Sequence, residues 1–179
     1  MKNILCFGDS NTYGYIPDKS GRFPWGVRWT SILTERLGQD YNVIEEGLCG
    51  RTTIFDDPFR PGRNGSESFQ AILESHNPLN LVTIMLGTND CKTVYGATAG
   101  IIGKGVESLL EQIKQHSPKS EVLLISPIYL GERVYEEGFD VEFSKESIQV
   151  SKDLENVYEK IADKWNIHFL RAQDYASCS

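Results

Sequence analysis

Five short, mainly apolar runs punctuate the chain, at residues 4–7, 41–44, 79–86, 122–125 and 167–170. None shows the strict in–out alternation of a half-exposed strand, so they read as strands covered on both faces. Between them lie stripes at helical spacing. Trp29, Ile32, Leu33 and Leu37 form one, and Ile102, Val106, Leu109, Leu110 and Ile113 another. Val150, Leu154, Val157, Ile161 and Trp165 give the longest, and Phe69, Ile72 and Leu73 a weaker one. Strand and helix thus alternate, which predicts an α/β fold with a parallel sheet between helical layers. We expect a single three-layer α/β/α domain over residues 1–179, with about five strands in the flavodoxin-like order 2-1-3-4-5. Right-handed crossovers would line the strand C-termini along one edge, where doubly wound folds place their sites. The irregular stretches 8–26, 47–66, 87–99 and 127–143 all follow strands.

Composition narrows the function. The net charge of −7 repels nucleic acid and anionic membranes, so neither is an expected partner. Arg51, Arg60 and Arg63 are the one local concentration of basic residues. Cys6, Cys49, Cys91 and Cys178 are widely spaced, with no C-x-x-C pair and no histidine cluster beside them, so no metal is expected. Cysteines so widely spaced suit a reducing compartment, and the N-terminal apolar run is too short for a signal peptide. No stretch reaches transmembrane length. These features predict a cytoplasmic protein. No cofactor is implied, since a flavin or nucleotide binder of this fold would need a glycine-rich phosphate loop that the chain lacks.

Three strand ends carry groups of one chemistry. Gly8-Asp9-Ser10 follows the first strand and presents a serine at the sheet edge. Alone, the tripeptide is equally good turn and helix-cap chemistry. The second strand ends in Glu45-Glu46-Gly47-Leu48-Cys49-Gly50-Arg51-Thr52-Thr53, and the third in Met85-Leu86-Gly87-Thr88-Asn89-Asp90. Acyl transfer needs donors aimed at the oxygen that becomes negative in the tetrahedral intermediate. Gly50 can bring its backbone N–H close without a side chain in the way, Asn89 can offer its amide, and Ser10 its own N–H. Either later segment could be only a loop after a strand. Three consecutive strand ends suited to one tetrahedral site are harder to explain so.

This set resembles the GDSL family of hydrolases, also called SGNH after its Ser, Gly, Asn and His. Ser10, Gly50 and Asn89 match the first three, with Asp9 in support. Phe7-Gly8-Asp9-Ser10, Val27-Arg28-Trp29-Thr30, Glu45-Glu46-Gly47-Leu48, Arg51-Thr52-Thr53 and Ile84-Met85-Leu86-Gly87-Thr88-Asn89-Asp90 resemble its arylesterase-like branch. That resemblance implies a serine esterase for short acyl, aryl or carbohydrate acetyl esters, a homo-oligomer, and in some members perhydrolase activity. The family carries its Asp and His as Asp-x-x-His after the fifth strand, before a last helix. No Asp-x-x-His occurs in this sequence. His168 falls in a strand, while His76 and His116 close helices, and Asp174 has no histidine after it. The expectation is therefore a C-terminally incomplete domain, close to inactive as it stands, because serine without a base is a poor nucleophile. A non-catalytic binding protein with the same pocket is the alternative.

Aromatic residues crowd the loops, and Trp25 and Phe55 are candidates to line a substrate pocket beside Ser10. Equally, loop aromatics pack over a sheet edge or an oligomer contact. The segment around Asp56-Asp57-Pro58 reads as an ordered surface loop or a contact between subunits.

Overall fold

A computed structural model describes residues 1–18 and 20–178. In chain order the elements are β1 (Lys2–Gly8), α1 (Ser10–Tyr13), β2 (Tyr15–Ile16), β3 (Gly21–Arg22), α2 (Trp29–Leu37), β4 (Tyr41–Gly47), α3 (Gly65–His76), β5 (Leu81–Met85), α4 (Ala99–His116), β6 (Glu121–Ser126), α5 (Lys145–Trp165) and β7 (His168–Arg171). Tight 3-10 turns follow three of the strands or helices, at Gly38–Asp40, Asn89–Cys91 and Ala172–Asp174. β2 and β3 form a small antiparallel ribbon. The other five strands make one parallel sheet, β4-β1-β5-β6-β7, which is the flavodoxin-like order expected.

Alternate strand residues build the core, because successive side chains leave a strand on opposite faces. Leu5 and Phe7 of β1, Val82 and Ile84 of β5, and Val122 and Leu124 of β6 join Phe69 and Leu73 of α3, Ile102, Val106 and Leu109 of α4, and Leu154 and Tyr158 of α5 in one buried cluster. Phe7 and Phe69 lie 4.3 Å apart between ring centres. The helical layer is continuous, α3 against α4 and α4 against α5. α2 packs on β4, and the reversed direction of its crossover sends it to the other face.

Coverage on both faces holds for β1, β5 and β6 but not for the two edge strands. β4 is half-buried along most of its length, and β7 is exposed or half-buried throughout. α2 also departs from its apolar stripe. Thr30 and Ser31 are its buried residues, while Trp29, Ile32, Leu33 and Leu37 stay half-buried. Polar bonding decides this: the Thr30 hydroxyl donates to Glu45 of β4, and Ser31 Oγ donates to Arg28 O at 2.8 Å and accepts from Gly26 N–H at 2.9 Å. In α5 the buried face runs through Ile148, Ser151, Leu154, Tyr158, Ile161 and Ala162, leaving Val150, Val157 and Trp165 at its margin. Among the described residues no helix is long and apolar enough to cross a membrane.

Candidate active site

β4, β1 and β5 are neighbours, with Gly8 in register with both Gly47 and Met85, so their C-terminal ends share one stretch of the sheet edge. Gly8 has no room for a side chain. A Cβ there would lie 2.0 Å from Thr12 Oγ1 and 2.9 Å from Met85 O. That close approach lets α1 start at once. Asp9 caps it, one carboxylate oxygen accepting from Asn11 N–H at 2.9 Å. Ser10 is the first helical residue and half-buried. Asp9 itself is wholly buried, and burial drives its carboxyl up to about 6 against the pull of the Asn11 amide and the Thr88 hydroxyl.

The second strand end is held to the first. Leu48 N–H donates to Gly8 O at 3.1 Å, and the turn closes with Arg51 N–H on Leu48 O at 3.0 Å. Gly50 sits inside that turn at φ +84°, a left-handed conformation that suits glycine. The Arg60 guanidinium lies over it, about where a side chain would project, 3.0 Å from an added Cβ. Beyond it, Thr53 N–H donates to Asp90 Oδ1 at 2.9 Å, and the Thr53 hydroxyl donates to the same oxygen. Asp90 is fully enclosed, and burial pushes its carboxyl up to about 6 despite those bonds.

The third strand end turns at Gly87, φ +123°, where an added Cβ would meet Tyr158 Oη at 2.5 Å. Asn89 follows, 7% exposed, and its Nδ2 donates to Arg51 O at 3.0 Å. An amide NH2 carries two donors, so this bond fixes the side chain and leaves the other hydrogen to a further acceptor. Ser10, Gly50 and Asn89 thus occupy adjacent strand ends, joined through Gly8 and Arg51.

The aromatic candidates meet different partners. Trp25 is 56% exposed, with the Arg28 guanidinium 5.7 Å from its ring. Phe55 is half-buried and stacks on Tyr95 at 4.9 Å, tying the loop after β4 to the loop after β5. No hydrogen bond or ring contact among the described residues links either to Ser10. The histidines all contact glutamates: His76 Nε2 and Glu46 at 3.3 Å, His116 Nδ1 and Glu74 at 2.9 Å, His168 Nε2 and Glu121 at 3.8 Å. Asp174 ends the turn after β7.

Two features escape a sequence reading. Arg51 is 5% exposed, and its Nη1 donates to Gly8 O at 3.0 Å and to Glu46 O. Burial lowers its guanidinium to about 10. Lys92, 2% exposed, bonds Glu142 at 2.9 Å and faces Asp57 at 3.8 Å, while Arg60 reaches Asp57 at 3.1 Å and Glu142 at 3.5 Å. That cluster fastens the loops after β4, β5 and β6, so the loop around Asp57 is ordered by charge buried within it. Lys92 lies 50 residues from Glu142 and Arg51 lies 43 from Gly8, separations that leave no local pattern. A lysine shortly after Gly-Thr-Asn-Asp was the one available signal. Among the described residues no group of histidines, cysteines and carboxylates is disposed to hold a metal.

The arrangement compares closely with solved structures. Est24, a carbohydrate acetylesterase from Sinorhizobium meliloti, is 37% identical, with a TM-score of 0.93 over 100% of this chain and 87% of that one. The native aryl esterase of M. smegmatis is 38% identical, with a TM-score of 0.93 over 100% of this chain and 87% of that one. No curated protein sequence matches. The family model for GDSL-like lipases and acylhydrolases matches residues 6–179, the stretch that carries all three strand ends, and the chain belongs to that family.

Proposed function

We propose that the protein is a carboxylic-ester hydrolase that works through an acyl-enzyme on Ser10. The single observation carrying this is the convergence of Ser10, Gly50 and Asn89 on three adjoining strand ends, with Asn89 fixed by its bond to Arg51 O at 3.0 Å. Ser10 Oγ attacks the ester carbonyl, and the tetrahedral intermediate breaks its bond to the alcohol, which leaves with the serine proton. Water then cleaves the acyl-serine to carboxylic acid and free Ser10. The Ser10 and Gly50 N–H groups and the free Asn89 amide hydrogen receive the developing oxyanion, each such donor contributing roughly 2.7–4 kcal/mol. Asp9 supports the turn by capping α1. The relatives named an aryl esterase and a carbohydrate acetylesterase favour short acyl esters of aryl alcohols or sugars as substrates. Trp25 and Phe55 are proposed to contact the alcohol portion.

The reaction needs a base for Ser10, and the sequence holds no Asp-x-x-His. That observation supports the second reading, a binding protein with this pocket and no turnover. Initial rates on p-nitrophenyl acetate, with the native full-length protein and its Ser10→Ala variant, separate the two. Hydrolysis that falls by at least about 10³-fold in the variant is expected for the esterase. No hydrolysis by the native protein supports the binding protein.

Exposed apolar residues at loops, Phe59 at 75%, Val141 at 84% and Trp25 at 56%, support the further proposal of a homo-oligomer. With Cys6, Cys49 and Cys91 outside any disulfide we place it in the cytoplasm, as one domain, acting on small molecules rather than nucleic acid or membranes.

A further inference from the structure

Arg51 is an expensive residue to bury. A guanidinium out of water needs every donor met, and a carboxylate is its usual partner. Both of its hydrogen bonds go instead to main-chain carbonyls, Gly8 O at 3.0 Å and Glu46 O, and its plane lies 4.2 Å from the centre of the Phe7 ring. Its Nε is buried without a partner. Packing alone would be served better by an apolar side chain of the same volume.

Three of the hydrogen bonds of this one residue reach all three segments of the site. Through Nη1 it grips β1 at Gly8, two positions before Ser10, and β4 at Glu46. Its main chain continues directly from Gly50. Its carbonyl accepts from Asn89 Nδ2 at 3.0 Å. The two hydrogens of Nη1 lie in the guanidinium plane and meet two carbonyls with fixed geometry, which a flexible ammonium does not reproduce. We propose that Arg51 is a positioning residue for acyl transfer, setting the spacing between Ser10 and the donors of Gly50 and Asn89 without touching substrate. The proposal rests on the reading of Ser10 as nucleophile.

Inactivation of the native full-length protein by a fluorophosphonate tests it, because titration with reagent separates the limiting rate from the half-saturating concentration. Arg51→Met keeps the volume and Arg51→Lys keeps the charge. Since ångström-scale misplacement costs on the order of 10²-fold, Arg51→Met should lose about that factor in limiting rate and Arg51→Lys about tenfold. The half-saturating concentration should stay within about twofold. Each variant is assayed below its own melting temperature, with folding checked by circular dichroism. A folded Arg51→Met protein with an undiminished limiting rate overturns the proposal, leaving the arginine a purely structural part. A change confined to half-saturation also overturns it, by assigning contact with the reagent. If neither variant folds, the residue serves the fold and the proposal fails. Unsubstituted protein that takes no label on Ser10 refutes the nucleophile reading itself, a result distinct from the others.

Discussion

Asp9 and Asp90 are both enclosed, and burial raises both carboxyls to about 6 from an ordinary 3.8. A raised carboxyl binds its proton more tightly in the native state than in the unfolded one. Its contribution to stability therefore falls as pH rises from about 4 to about 6, and stays lost above that. Glu45 and Asp57 run the other way. Against the cost of burial, bonds from Arg28 and Thr30 hold Glu45 low, and the Phe59 N–H with Arg60 and Lys92 holds Asp57 low. Their stabilisation is present at neutral pH and drains away on acidification. Asp90→Asn, which still accepts from Thr53, isolates one member. Its stability relative to wild type should rise by roughly 2–3 kcal/mol between pH 4 and pH 7 in urea melts. A gap that is flat with pH contradicts the burial account. Asn89→Ala should lower the esterase turnover number by about 10²–10³-fold with little change in KM. Ser10, Gly50 and Asn89 could be singled out from sequence because each stands in a short motif just after an apolar run. Lys92 and Glu142 could not, since nothing within one segment marks a charge whose partner lies far along the chain.

At the scale of elements, the contact between α5 and the end of β5 carries the most information. Tyr158 is wholly buried and donates to Leu86 O at 2.9 Å, beside Gly87 at φ +123°. Tyr158→Phe leaves that carbonyl without its donor and should cost about 1–2 kcal/mol. Gly87→Ala should cost more, as an alanine there is strained in its backbone and sits 2.5 Å from Tyr158 Oη. The double variant should cost less than the sum, because Phe removes the atom that clashes. Additive losses in thermal melts would show that the hydroxyl is not what excludes a side chain. Tyr158 also explains why the buried face of α5 keeps Leu154 and Ile161 of the expected stripe but takes Ser151 and Tyr158 in place of Val150 and Val157. Helical periodicity locates an element, but which face turns inward is decided by partners such as Leu86 O. α2 makes the same point through Thr30 and Ser31. The β2–β3 ribbon and the one-turn α1 went unread because two- and four-residue elements are too short for any period to register.

For the molecule as a whole, the parallel sheet followed from the alternation of strand and helix, and the shared C-terminal edge from crossover handedness. The strand order itself matches the one expected for a flavodoxin-like fold. What alternation could not give was coverage: β4 and β7 are edges, and edges look like central strands when their residues are apolar. A net charge of −7 keeps monomers apart unless apolar surface is buried between them. Light scattering on a sizing column should give a multiple of the 20.2 kDa chain mass, and a monomer at all concentrations would refute the oligomer. The most direct test of the central claim is peptide mass spectrometry after fluorophosphonate treatment of the native full-length protein. A serine nucleophile at the end of β1 predicts a single phosphonyl adduct, on Ser10, abolished in Ser10→Ala and slowed in Asn89→Ala. An adduct on another residue, or one that survives Ser10→Ala, would contradict it.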